Sequence, residues 1–165
     1  MSASPPDGAR ILIVDDQEAN VRLLEAILRR GALAAEVRST TDAREALGLF
    51  TAFQPDLVLL DLHMPHVDGL TLLGQLLASV PPETYLPVLV LTAEVTAEAK
   101  RQALGRGARD FLTKPFDPTE VLLRIRNLLE TRTLHERLRE HNRTLEARVR
   151  ERTRELDEAR LEALE

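Results

Sequence analysis

Residues Asp56–Pro65 read DLVLLDLHMP. Four apolar residues, Leu57–Leu60, run straight into the carboxylate of Asp61, and His63, Met64 and the turn-making Pro65 follow. A short continuous apolar run bounded by turn signals has the pattern of a strand buried on both faces, as in a parallel sheet. A charge at the exit of such a strand is costly unless something pairs with it. The same pattern recurs along the chain. Ile11–Val14 ends at Asp15 and Asp16, Pro87–Leu91 ends at Thr92, and Asp110–Thr113 ends at Lys114 and Pro115; Ala34–Arg38 is a weaker strand.

Helical spacing fills the intervals. Asn20–Arg30 places Val21, Leu24, Ile27 and Leu28 on one face, with Gly31 as a stop. Ser39–Asp42 offers caps ahead of a short helix carrying Ala46, Leu47 and Phe50. Leu72, Leu73, Leu76 and Leu77 mark a third helix after Asp68 and Gly69, and Ala99–Leu104 a fourth. Strands alternating with helices predict an α/β fold, a doubly wound parallel sheet of five strands covered on both faces. In such a sheet the functional crevice lies at the carboxyl ends of the strands. The polar residues that terminate the strands are therefore the ones to weigh.

Composition narrows the chemistry. The 165 residues suit one domain plus an appendage. With no cysteine, disulfides, zinc–thiolate sites and thiol catalysis are excluded. No apolar run exceeds four residues, far short of the about 20 that a membrane-crossing helix needs. The opening MSASPPDGAR has no apolar signal-peptide core, and residues 1–8 are expected to be a flexible tail. A cytoplasmic chain with no membrane partner is the expectation. The net charge of −5 falls entirely on residues 1–117, with 16 acidic and 11 basic side chains, whereas residues 118–165 carry 11 of each. Neither part has the basic surplus of a nucleic-acid binder, so no nucleic-acid partner is expected.

If the sheet is parallel, Asp15, Asp16, Asp61, Thr92 and Lys114 collect at one edge. Three carboxylates so placed repel one another. A divalent cation such as Mg²⁺, which prefers carboxylate, carbonyl and water oxygens, resolves the conflict. Positioned acids, a metal, a hydroxyl and an ammonium around one central carboxylate suit phosphoryl transfer, with Asp61 as the nucleophile that becomes an acyl phosphate. Each residue also has an ordinary reading: Asp15 or Asp16 as a helix cap, Asp61 in an Asx turn, Thr92 as a cap, Lys114 as a solvated cation. It is their coincidence at four strand exits that favours a site.

ILIVDD, LVLLDLHMPHVDG, VLVLTA and FLTKPF resemble the motifs of response-regulator receiver domains, in the right order over residues 9–130. The resemblance implies a flavodoxin-like sheet of order 2-1-3-4-5. It implies that Asp61 accepts a phosphoryl group from a sensor histidine kinase or phosphotransfer protein. Mg²⁺ would bind Asp16 directly, Asp15 mainly through water, Asp61, and the backbone carbonyl of His63. Lys114 would pair with the phosphoryl charge and Thr92 with a phosphoryl oxygen, while the Lys114–Pro115 peptide would be cis. Thr92 and Phe111 would form the switch, Phe111 standing where the family often has tyrosine, and Phe111 also has the ordinary reading of core packing. His63 and Glu94 would border the phosphoryl group. Such a chain assists its own phosphorylation and dephosphorylation but is not otherwise an enzyme.

From Pro118 the sequence reads as one helix of about 48 residues, or about 72 Å. Val121, Leu122, Ile125, Leu128 and Leu129 mark the last helix of the domain. Over residues 131–165 a heptad seam continues: Leu138, Leu145, Arg152 and Ala159 at one position, Asn142, Val149, Leu156 and Ala163 at the other, with Leu134 one residue off it. A parallel homodimeric coiled coil is expected, a seam Asn fixing register at some cost in stability; the ordinary reading is a solitary helix held by i,i+4 ion pairs. The segment NRTLEARVRERTRELDEARLEALE resembles linkers to HD-GYP, GGDEF or histidine-kinase output modules, none of whose catalytic sequence lies in these residues, so a fragment of a longer regulator is expected. Two rivals stand beside this reading. A haloacid-dehalogenase-type phosphatase would place its nucleophile after the first strand with a second Asp two residues on, whereas here the acidic pair comes first and His63 holds that place. A constitutive dimerisation scaffold with a vestigial site is at odds with the complete set of five residues.

Overall fold

The computed structural model describes residues 8–33, 35–94 and 96–165. The expectation for the N-terminal tail, apart from Gly8, and the Ala34 start of the weak strand lie outside the described residues. The elements in chain order are β1 (Ala9–Val14), α1 (Glu18–Arg30), β2 (Ala35–Thr40), a 3-10 turn (Ala43–Glu45) running into α2 (Ala46–Phe53), β3 (Leu57–Asp61), α3 (Gly69–Ala78), β4 (Val88–Thr92), α4 (Ala97–Gly105), β5 (Asp110–Thr113) and α5 (Pro118–Glu162). All strand pairings are parallel, in the order β2-β1-β3-β4-β5. The sheet is therefore the doubly wound, flavodoxin-like one expected.

Strand alternation sorts the core into two layers. Ile11, Ile13, Leu57, Leu59, Leu89 and Leu91 point to the side where α1 contributes Leu24 and Leu28, and α5 contributes Val121 and Ile125. Leu12, Val14, Val58, Leu60, Val88 and Val90 point to the other, against Phe50 and Phe53 of α2 and Leu72, Leu73 and Leu76 of α3. Because both faces are covered, β3, β4 and the Ile11–Val14 part of β1 carry no polar residue until they end, whereas the edge strand β2 carries Glu36, Arg38 and Ser39. Register then aligns those ends: Val14 lies opposite Leu60 and Thr40, Asp61 opposite Leu91, and Thr92 opposite Thr113.

Three local expectations change. Leu47 is 37% exposed, because the buried stripe of α2 is Ala46, Phe50 and Phe53 at i, i+4 and i+7, about one-third of a turn away. Leu77 packs only partly against the core, while Leu72, Leu73 and Leu76 are fully buried. Of the caps expected in Ser39–Asp42, only Asp42 caps, its Oδ1 accepting from Arg44 N–H at 3.0 Å. Ser39 and Thr40 belong to β2, and Thr40 is buried with its hydroxyl bonded to the Asp42 carbonyl. The α3 and α4 starts follow the usual capping chemistry, Asp68 accepting from Thr71 N–H and Thr96 from Ala99 N–H.

The described residues form two compact units, one ending at Thr133 and one comprising Leu134–Glu165. Within the first, α5 buries Val121, Ile125, Leu128 and Leu129. Its Arg132 lies 3.3 Å from an Asp56 oxygen and donates to the Tyr85 carbonyl at 2.6 Å. Within the second, Leu138, Leu145, Val149 and Leu156 are all at least 43% exposed. Ion pairs there are of the i,i+3 and i,i+4 kind, Arg152–Glu155 at 3.0 Å and Arg154–Glu158 at 3.6 Å, each adding only about 0.3–0.5 kcal/mol. Among the described residues no helix is long and apolar enough to cross a membrane.

Gly69 closes the loop after β3 onto that strand. A Cβ there would lie 2.5 Å from Leu62 Cα and 2.6 Å from its carbonyl oxygen, both backbone atoms that cannot swing aside. Gly69→Ala is expected to cost about 2–4 kcal/mol in urea unfolding, the scale of severe overpacking with backbone displacement. Gly74→Ala, in the same helix with nothing within 4 Å of the added carbon, is expected to stabilise by about 0.5–1 kcal/mol.

Candidate functional site

The strand exits converge. Asp15 is completely buried; its Oδ1 accepts from Gln17 N–H at 2.9 Å, with the Asn20 amide 3.3–3.4 Å from both oxygens. Asp61, 2% exposed, accepts from His63 N–H at 3.1 Å through Oδ1. The Lys114 ammonium lies 3.1 Å from Asp61 Oδ2 and 3.2 Å from Asp15 Oδ2, bridging the two. Asp16, more accessible, completes a cluster in which carboxylate oxygens of Asp15, Asp16 and Asp61 all lie within 4.8 Å of one another. Lys114 reaches this point because β5 pairs with β4 and its own N–H donates to the Thr92 carbonyl at 2.8 Å; the Lys114–Pro115 peptide is cis.

Electrostatics set the character of Asp61. Burial pushes its carboxyl up to about 6, assisted by Asp15 and Asp16, while the His63 N–H and the Lys114 ammonium pull the other way. One ammonium faces three carboxylates, so the charged cluster carries two negative charges in excess. All its free donors are hard oxygens. These residues fit a divalent cation of the Mg²⁺ type.

The remaining expected residues divide. Thr92 is buried and sits one residue past the Asp61–Leu91 pairing, its hydroxyl accepting from Glu94 N–H at 3.0 Å. His63 and Glu94 meet each other, Nε2 to Oε2 at 3.3 Å, and both are more than half exposed. Phe111 is not among the carboxylates; its ring is half-buried against the core layer that contains Val88, Val90 and Ala103. Gln17 and Asn20, which hold Asp15, were not legible beforehand, since a polar residue in the first turn of a helix usually signals only a cap.

The match to known proteins agrees with this geometry. The family model for the response regulator receiver domain matches residues 11–126. The chain belongs to that family: it carries the receiver domain of a two-component response regulator, a class that takes phosphoryl groups from histidine kinases. Response regulator PleD of Caulobacter vibrioides is 42% identical over 132 residues, covering 80% of this chain and 28% of PleD. The chain thus spans little more than a quarter of that relative. Among solved structures, NtrX from Brucella abortus superposes with a TM-score of 0.72 at 33% identity, covering 81% of this chain and 29% of NtrX. Chemotaxis protein CheY4 of Vibrio cholerae gives 0.63 at 30% identity, covering 71% of this chain and 94% of CheY4.

Two substitutions probe the charge balance without divalent cations, in urea titrations with chelator at neutral pH. Lys114→Met is expected to destabilise by about 2–3 kcal/mol, less than the about 3–5 of a fully buried broken pair because Asp61 can take up a proton. Asp61→Asn is expected to stabilise by about 1–3 kcal/mol, since it removes a charge that burial and two neighbours disfavour.

Proposed function

We propose that this receiver accepts a phosphoryl group on Asp61 from a phosphohistidine of a sensor kinase or phosphotransfer protein, and passes the modified state through residues 131–165 to an output module. The observation that carries the reading is the Lys114 ammonium seated between Asp15 and Asp61 inside a three-carboxylate cluster. In the transfer, an Asp61 carboxylate oxygen forms a bond to phosphorus as the P–N bond breaks, and the bonding pair stays with the departing imidazole. Mg²⁺, when bound, supplies charge neutralisation and orientation of the phosphoryl oxygens. Asp16 would hold it directly, Asp15 mainly through water, with Asp61 and the His63 carbonyl completing the protein's share.

The chain's own groups do the rest. The Lys114 ammonium transfers its contact from the carboxylates to a phosphoryl oxygen, a short displacement for a long side chain. The Thr92 hydroxyl accepts from Glu94 N–H and donates to no acceptor among the described residues, so its proton can go to another phosphoryl oxygen. Its movement toward the phosphoryl group vacates space beside β4 into which the Phe111 ring turns. His63 and Glu94 stand at the mouth of the site and bear on access of water to the acyl phosphate. Hydrolysis returns the carboxylate and inorganic phosphate, so the protein assists both formation and loss of its own modification without acting on a separate substrate.

For the output, the reading is a parallel homodimer along the seam of Leu138, Leu145, Leu156 and their partners, with Asn142 fixing register. The apolar side chains of that seam are exposed within the 134–165 unit, which is what an unfilled interface requires. The receiver domain is taken as residues 9–130, and the downstream module as one of the HD-GYP, GGDEF or histidine-kinase kind. A cytoplasmic place of action follows from an ATP-derived phosphoryl donor.

Acetyl phosphate with Mg²⁺ is expected to add one phosphoryl group to the wild-type chain, read by intact mass. Asp61→Asn or chelator is expected to abolish the gain. An unmodified wild type, or a modified Asp61→Asn, would refute the acceptor assignment and favour a scaffold with a vestigial site. In sedimentation at concentrations well above micromolar, the full chain is expected to be a dimer. Leu145→Ser is expected to weaken it by about tenfold or more, the loss of one buried leucine per helix; a wild-type monomer would sink the coiled coil.

A further inference from the structure

Cations from two different helices approach the ring of Phe111. Lys100 of α4 places its ammonium 4.4 Å from the ring centroid, and Arg124 of α5 places its guanidinium carbon 5.7 Å away. The two are not equivalent. Arg124 donates to both Asp110 oxygens at 2.8 Å and to Glu120 at 3.0 Å, so its charge is already shared with two carboxylates. Asp110 in turn accepts from the Phe111 backbone N–H at 2.8 Å, fixing the backbone from which the ring projects. Lys100 forms no ion pair among the described residues, and its ammonium, the nearer of the two, faces the ring's negative electrostatic surface. A phenylalanine offers no hydroxyl to hydrogen-bond at the protein surface, so apart from packing nothing but these cations fixes where the ring lies.

We propose that Lys100 is a positioning residue for the phosphorylation readout: its ammonium over the Phe111 ring holds the ring in the position of the unmodified protein, and the inward turn of the ring has to break that contact. The proposal rests on the reading of Phe111 as the ring that moves. The consequence is a link between ring and helix. Since Lys100 belongs to the first turns of α4, the ring's departure releases α4 from β5, and stiffening or loosening α4 biases the ring in return. A contact present in only one of two states shifts their balance by its own strength. Arg124, already neutralised, acts as a fixed edge against which the ring rests.

The test uses the full chain with isotope-labelled phenylalanine rings followed by NMR. The sequence has four phenylalanines, and Phe111→Leu identifies the signal that matters. Beryllofluoride with Mg²⁺ serves as the phosphoryl mimic. In the wild type, saturation with the mimic is expected to move the Phe111 signal. Lys100→Met, which keeps the stem and removes the charge, is expected to displace that signal toward the saturated position before any mimic is added. It is also expected to lower the mimic concentration for half-saturation by about two- to fivefold, equivalent to about 0.5–1 kcal/mol at tenfold per 1.4 kcal/mol. Lys100→Arg, which restores a cation, is expected to return both readings toward wild type. A wild-type signal that moves, with Lys100→Met leaving signal and half-saturation unchanged, overturns the role of Lys100 alone. Equal effects of Lys100→Met and Lys100→Arg overturn it as well, since they reveal a packing role. A wild-type Phe111 signal indifferent to the mimic, in protein whose Asp61 takes phosphate by mass, removes the readout assignment and this proposal with it.

Discussion

Two carboxylates with almost no access to water share one ammonium, and the rest of the structure is arranged around keeping that possible. Asp15 and Asp61 leave adjacent strands at the same level of the sheet, and Lys114 reaches both from the end of β5, two strands from β3 and three from β1. Without the cation, the pair would shed a proton deficit by lifting a carboxyl pKa or by opening the site to water. With it, Asp61 remains a carboxylate near neutral pH in surroundings that disfavour its charge. A carboxylate held in that condition gains more from any cation brought to it than a solvated carboxylate would.

Much of this is legible in the sequence alone. The fold was legible because strands covered on both faces have no polar residue until they end, so the charge at the end of DLVLLD marks both the boundary of β3 and the edge of the sheet. The clustering of Asp15, Asp16, Asp61, Thr92 and Lys114 followed from parallel topology alone. What pairs with what did not follow. The bond of Lys114 to Asp15 depends on side-chain reach across two intervening strands, and the support of Asp15 by Gln17 and Asn20 depends on the angle at which α1 starts. Leu47 was misjudged for a related reason: an apolar residue beside the right stripe of a helix looks the same in sequence as one on it, and only Phe53 settles which face of α2 turns inward. Thr40 looked like a cap because threonine before Asp is common there, yet its place opposite Val14 in the ladder keeps it in the sheet.

The long helix carries two different grammars in succession. Up to Thr133 its buried residues recur at spacings set by a curved sheet, and Val121, Ile125, Leu128 and Leu129 belong to the same layer as Leu24 and Leu28. After Leu134 the apolar residues stand exposed at near-heptad intervals, a pattern that globular burial does not generate. The hydrophobic effect therefore finds little to act on within the second unit itself, and its short-range ion pairs supply solubility more than stability.

Asp56, the first residue of DLVLLDLHMP, completes the picture of β3. Its carboxylate accepts from the Arg10 backbone N–H at 2.8 Å and lies 3.3 Å from Arg132 in the last turns of α5 before Leu134. The strand between Asp56 and Asp61 is thus anchored by a charge at each end, one to Lys114 and one to α5. About 17 Å of extended backbone separates them. An extended segment locked in a sheet on both sides neither stretches nor buckles readily, so it behaves as a strut. A displacement imposed at one carboxylate has a stiff path to the other, through the interior of the sheet and independent of the loops and surface helices around it.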